Sequence, residues 1–132
     1  MQLTTLEMIT EPGVIVAVVG ATDNPEKFGY TVYRDLKKKG YKVFPVNPKR
    51  ETVDGDKAYP NLQDLPITPD IANLVVPPEV SIDVAEECLR FGIQHLWLQP
   101  GAESPEVLEF LQENGLSYLA GACIMLKTRR AK

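Results

Sequence analysis

The run Val14-Ile15-Val16-Ala17-Val18-Val19 contains no polar residue and stops at Gly20. An apolar strand without alternation is buried on both faces, as in the middle of a parallel sheet. The chain is thereby confined to folds that cover such a sheet from both sides. Gly20-Ala21-Thr22 breaks the strand, and Asn24-Pro25-Glu26-Lys27-Phe28-Gly29 leads into a helix. Open α/β sheets place a helix N-terminus at the end of a strand in this way, where a nucleotide phosphate can sit. The glycine spacing departs from G-x-G-x-x-G, so the identity of the nucleotide has to be read elsewhere.

The rest of the chain repeats the pattern. A helix is predicted over 27–39, with Phe28, Val32 and Leu36 on one face and Gly40 after it. Strands follow at 41–46, 71–76, 95–99 and 116–119, with helices at 79–91, at 105–114 and at 123–129. Val80, Val84, Cys88 and Phe91 form the apolar stripe of the 79–91 helix, and Ser104-Pro105-Glu106 is a well-formed helix start. Residues 2–10 read as a short helix with Leu3, Leu6 and Ile9 on one side. Residues 51–60 form a small excursion with a turn at Asp54-Gly55, and 61–65 a single helical turn. Pro45 has no N–H to donate, so pairing of the second strand is expected to fade near its C-terminal end. Strands alternating with helices of this length imply an α/β, Rossmann-like, doubly wound fold. Its sheet is mostly parallel and five-stranded, with helices on both faces, in one domain over 1–132.

Bulk properties narrow the partners. The formal net charge of -4 lacks the basic surface of a nucleic-acid protein. No apolar run reaches the roughly 20 residues that a membrane span requires. The first residues do not have the form of a signal peptide, so a cytoplasmic location with reduced thiols is expected. Cys88 and Cys123 form neither a disulfide framework nor, with the single His95, a metal cluster. The basic end from Lys127 to Lys132 reads as a solvated helix terminus.

Ligands in such sheets bind outside the C-terminal strand ends, and those ends carry few acid–base groups here. Gly20, Ala21 and Thr22 can offer backbone N–H groups and a hydroxyl to a pyrophosphate, or simply permit a tight turn. After the second strand comes Asn47-Pro48-Lys49-Arg50 instead of the acid that holds the ribose of NAD. Two cations there suit an extra ribose phosphate, as in NADP or coenzyme A, unless they are only solvated loop charges. Val76, Pro77 and Pro78 either form an apolar shelf for an adenine ring or terminate a strand. Trp97 reads as core, and His95 lies at the strand start, away from the ligand edge. Cys123 is a small buried hydrophobe or, alternatively, a thiol near the distal end of a bound cofactor. No Ser-His-Asp or Cys-His arrangement is present.

Three segments together carry a resemblance: Val18-Val19-Gly20-Ala21-Thr22 with Pro25-Glu26-Lys27 and Gly29, Gly40-Tyr41-Lys42-Val43-Phe44-Pro45-Val46-Asn47-Pro48, and Trp97-Leu98-Gln99-Pro100-Gly101-Ala102. They resemble the small single-domain CoA-binding proteins, which are similar to the CoA-binding domain of the succinyl-CoA synthetase α subunit and of ADP-forming acyl-CoA synthetases. The resemblance implies that Gly20, Ala21 and Thr22 face the CoA phosphates, with Lys27 counted among the contacts. It places Asn47, Pro48, Lys49 and Arg50 by the ribose and its 3′-phosphate. Val76, Pro77 and Pro78 would line the adenine pocket, and Gln99 and Gly101 would approach the pantetheine arm, with Cys123 near its thiol. Many members have Asp-Arg-Cys where this chain has Gly121-Ala122-Cys123. The expected function is a non-catalytic module that binds coenzyme A or an acyl-CoA, acting as a carrier, sensor or regulator. The alternatives are a subunit of an ADP-forming acyl-CoA ligase that needs a partner chain, and an NADP-binding domain. A homodimer is a further expectation.

Overall fold

The computed structural model describes residues 2–131. Met1, and Lys132 of the basic end, lie outside the described residues. The unalternated run forms strand β1 (Ile15–Val19), with Val16, Ala17 and Val18 fully buried. It pairs in parallel with β2 (Lys42–Val46) on one side and β5 (Ile71–Leu74) on the other. Beyond β5 lie β6 (His95–Leu98) and β7 (Ser117–Ala120), giving the parallel order β2-β1-β5-β6-β7. The strand order reverses between β1 and β5, which makes the crevice beyond Val19 and Leu74 the topological switch point.

Side chains alternate across the sheet and build a separate core on each face. Val16, Val18, Ile71 and Trp97 pack with Val32, Tyr33, Leu36 and Ile124, beneath α2 (Phe28–Lys38) and α5 (Ile124–Lys127). Ala17, Ala72, Leu74, Leu96 and Leu98 pack beneath α3 (Pro78–Phe91) and α4 (Pro105–Glu113). Ser104 caps α4 as its sequence demands, its hydroxyl accepting the Val107 N–H at 3.2 Å. Trp97 is core, and its indole N–H donates to the Ala122 carbonyl at 2.9 Å. No helix of the described residues is long and apolar enough to cross a membrane.

The excursion is a hairpin, β3 (Thr52–Val53) and β4 (Asp56–Lys57). Asp54 and Gly55 both have positive φ, 51° and 78°, the two-residue turn that matches strand twist. Pairing of β2 does not fade at Pro45, because its nitrogen points away from β1. On that outer side the Pro45 carbonyl accepts the Tyr59 N–H at 3.0 Å, and the Asn47 N–H donates to the Tyr59 carbonyl at 2.9 Å. The proline thus costs the sheet no hydrogen bond.

Three helical faces differ from their sequence reading. In α2 the buried stripe is Gly29, Val32, Tyr33 and Leu36, and Phe28 is 44% exposed. In α3 it is Ser81, Val84, Ala85 and Cys88, with Val80 and Phe91 largely exposed. The first helix is only α1 (Thr5–Met8), a capping box of Thr4 and Glu7. Its buried residue is Thr5, and Leu3 and Leu6 face solvent. The closing helix ends at Lys127. Beyond it the chain is tied to α2, since Lys39 Nζ donates to Met125 O and Thr128 Oγ1, and the Ala131 N–H donates to Lys39 O.

Candidate functional site

A cleft of about 1150 Å³ opens at the switch point between β1 and β5. Two glycines shape its floor. Gly20 has φ +102°, and a Cβ on it would lie 2.2 Å from the Val75 carbonyl oxygen. Gly29, in the first turn of α2, would put a Cβ 2.0 Å from the Gly20 carbonyl oxygen. Strand exit, helix start and the end of β5 therefore meet backbone to backbone. This is the close approach that dinucleotide folds obtain from G-x-G-x-x-G, reached here with different spacing.

Two of the loop's three backbone donors are already taken. The Gly20 N–H donates to Val46 O at 2.9 Å and the Ala21 N–H to Val18 O at 3.4 Å. Thr22 Oγ1 accepts the Asn24 N–H. The expectation that Gly20 and Ala21 present free N–H groups is thus corrected: both are used to fold the turn. Gly20 and Thr22 still line the cleft, while Ala21 is fully buried behind them. The start of α2 adds open donors. No side chain caps its N-terminus, its first turn has no acid, and Lys27, Phe28 and Gly29 line the cleft. Uncapped N–H groups at the positive end of a helix dipole attract a phosphate.

Next to them stand the residues after β2. Asn47, Pro48, Lys49 and Arg50 all line the cleft. Asn47 braces it: Nδ2 donates to Ala21 O at 2.9 Å and Oδ1 accepts the Lys49 N–H at 2.9 Å. Arg50 lies 3.8 Å from Asp23, whose carboxylate also accepts the Asp54 N–H at 2.8 Å and pairs with Arg34. The Asp54 N–H first, and then Arg34, hold the Asp23 carboxyl below the usual range. Arg34 further donates to the Thr22 carbonyl and stacks 3.8 Å over the Tyr30 ring.

Part of the lining is apolar. Val75, Val76 and Pro77 form it with Val84 and the exposed Phe28 and Val80. Pro78 is the first residue of α3, outside the lining. Phe28 and Val80 were assigned to buried helical faces by periodicity. Their position at helix starts beside strand ends was the signal that could have moved them to the cleft.

Farther along, Gln99 and Gly101 line the cleft. Gln99 is fully buried; its Oε1 accepts the Ile124 N–H at 2.8 Å and its Nε2 lies 3.3 Å from Cys123 Sγ. The Gly101 N–H is taken by Glu103 at 3.0 Å. Cys123 stands behind Gln99, outside the lining. Burial pushes the Cys88 thiol well up, away from reactivity.

His95 is held at the far end of β6, its Nδ1 3.1 Å from Thr5 Oγ1, and burial lowers its pKa. Among the described residues no group of His, Cys, Asp and Glu could hold a metal ion. The cleft thus combines open N–H groups and cations with apolar surface, and its lining also carries the carboxylates of Asp23, Glu51 and Glu87.

Comparison with known proteins gives a consistent picture. A family model described as a CoA binding domain matches residues 15–129. The alpha subunit of ADP-forming acetate–CoA ligase II from Pyrococcus furiosus is 30% identical over 127 residues, covering 88% of this chain and 28% of that protein. The chain thus spans under a third of that ligase subunit. The uncharacterized protein YneT of Bacillus subtilis is 32% identical over 109 residues, covering 83% of this chain and 81% of YneT. A conserved hypothetical protein from Pyrococcus furiosus superposes with a TM-score of 0.84 at 43% identity, over 87% of this chain and 99% of that one.

Proposed function

The chain belongs to the CoA-binding domain family, and on that premise we propose that it binds coenzyme A or an acyl-CoA in the switch-point cleft as a non-catalytic carrier, sensor or regulator. The observation that carries this reading is one cleft that joins the uncapped start of α2, the cations Lys27, Lys49 and Arg50, and an apolar wall at Val76 and Pro77. The pyrophosphate is assigned to the N–H groups of α2, and the 3′-phosphate to Lys49 and Arg50. The adenine is assigned to Val76 and Pro77, and the pantetheine arm to Gln99 and Gly101.

A second reading follows from the likeness to a ligase alpha subunit: a partner chain would supply the phosphoryl-transfer machinery. Acyl-CoA formation on adding an ATP-grasp partner would establish it.

Calorimetry with coenzyme A and 3′-dephospho-CoA tests the site. Replacing Lys49 and Arg50 together with Ala should weaken CoA by about tenfold or more, the worth of a charge-assisted hydrogen bond. Dephospho-CoA should change far less. Equal losses for both ligands would remove the 3′-phosphate assignment. Mass spectrometry of ligand released from the native protein distinguishes CoA from NADP.

A further inference from the structure

The two cations after β2 are not equivalent. Lys49 makes no ion pair among the described residues, whereas Arg50 faces Asp23 across 3.8 Å. That distance exceeds a hydrogen bond, so Asp23 offsets the charge of Arg50 without fixing its direction. The Asp23 carboxylate is itself anchored: Oδ1 accepts the Asp54 N–H and pairs with Arg34, leaving Oδ2 toward Arg50. Arg34 is occupied by Thr22 O, Asp23, Asp54 and the Tyr30 ring. It serves to hold the acid in place. Asp23 and Arg50 both line the cleft, with side chains 34% and 37% exposed.

We infer that Asp23 is a specificity-determining residue that sets how strongly the cleft prefers a nucleotide bearing a phosphate monoester, by acting as the standing counter-charge of Arg50. This rests on the reading of the cleft as a CoA site. A phosphate dianion reaching Arg50 is attracted by the guanidinium and repelled by the carboxylate beside it. The net gain is the difference between the two. A loose pair also lets Arg50 change partner at little cost, since exposed pairs of this kind hold weakly.

Asp23→Asn isolates the charge, because the amide oxygen can still accept from Asp54 and Arg34. Asp23→Ser, which also removes the charge, is a second variant should the first fold poorly. Calorimetry compares wild type, Asp23→Asn, Arg50→Gln and the double variant with CoA, 3′-dephospho-CoA and inorganic phosphate. The affinity ratio of CoA to dephospho-CoA should rise about two- to fivefold in Asp23→Asn, and this gain should vanish without Arg50. An unchanged or lower ratio, or a gain that survives in the Arg50→Gln background, overturns the inference. Wild type with no affinity for either CoA ligand would overturn the proposed function instead. The inorganic phosphate arm, a dianion without the nucleotide, then decides the role of Asp23: tighter binding in Asp23→Asn that depends on Arg50 supports it, and no change refutes it.

Discussion

The two halves of the ligand edge are held together by different forces. Beyond β1 and β2 the loops are locked by backbone approach and by charge: Gly20 against Gly29, Asn47 to Ala21, and Arg34 to Thr22 and Asp23. Beyond β5, β6 and β7 the fastening is mostly neutral, with Gln99 bonded to the start of α5 and Trp97 to Ala122, and one carboxylate, Glu103, on the Gly101 N–H. The charged half fixes positions where a polyanion can be met. The neutral half leaves prolines and small residues that accept contact without attracting charge. A ligand with a phosphate-rich head and a long uncharged arm matches that division.

Breaking the charged half at its backbone contact should have the largest effect. Gly29→Ala forces a Cβ against the Gly20 carbonyl, and something must shift. A loss of about 3 kcal/mol or more in urea unfolding is expected, at the upper end for overpacking. A loss under 1 kcal/mol would mean that the two segments are not locked together. The neutral half is sharpened by Gln99→Leu, which strands the buried Ile124 N–H and should cost about 1–3 kcal/mol. Its signature is selectivity: the preference of CoA over dephospho-CoA should stay as in wild type. A shift in that ratio would show that the halves are coupled.

The smallest effect belongs to the sheet beneath both halves. Asn73 is fully buried in β5, and neither polar side-chain atom has a partner among the described residues. Asn73→Leu removes a desolvated amide and should leave stability within about 1 kcal/mol, in the stabilising direction. A clear fall in Tm would reveal that the amide is satisfied by an internal water.

The sheet, its strand starts and the caps of α4 were legible because local patterns decide them: an unalternated run, a hydroxyl before Pro105, a glycine after a helix. The cleft was legible as a list of strand ends, since topology alone brings them to one edge. Helical faces were less so. Phe28 and Val80 match an i, i+4 stripe, but they stand at helix starts where the body of the helix has not yet reached the sheet. The donor set was also hidden. Whether the Gly20 and Ala21 N–H groups are free depends on partners at Val46 and Val18, and no spacing rule reports that. Asp54 joins Arg34 and Asp23 because the 51–60 hairpin folds back onto α2, a tertiary event.

Pro45 has a consequence beyond the pairing of β2. With its ring nitrogen and the Tyr59 strap occupying the C-terminal part of that margin, the sheet offers only a short template there for another chain. Its other margin, β7, pairs with no strand outside β6 among the described residues. Strand pairing with another chain is therefore easier at β7. Two copies joined at β7 by a two-fold axis would close the assembly, whereas an open-ended ribbon would need a second sticky margin, the one that the proline has cut short.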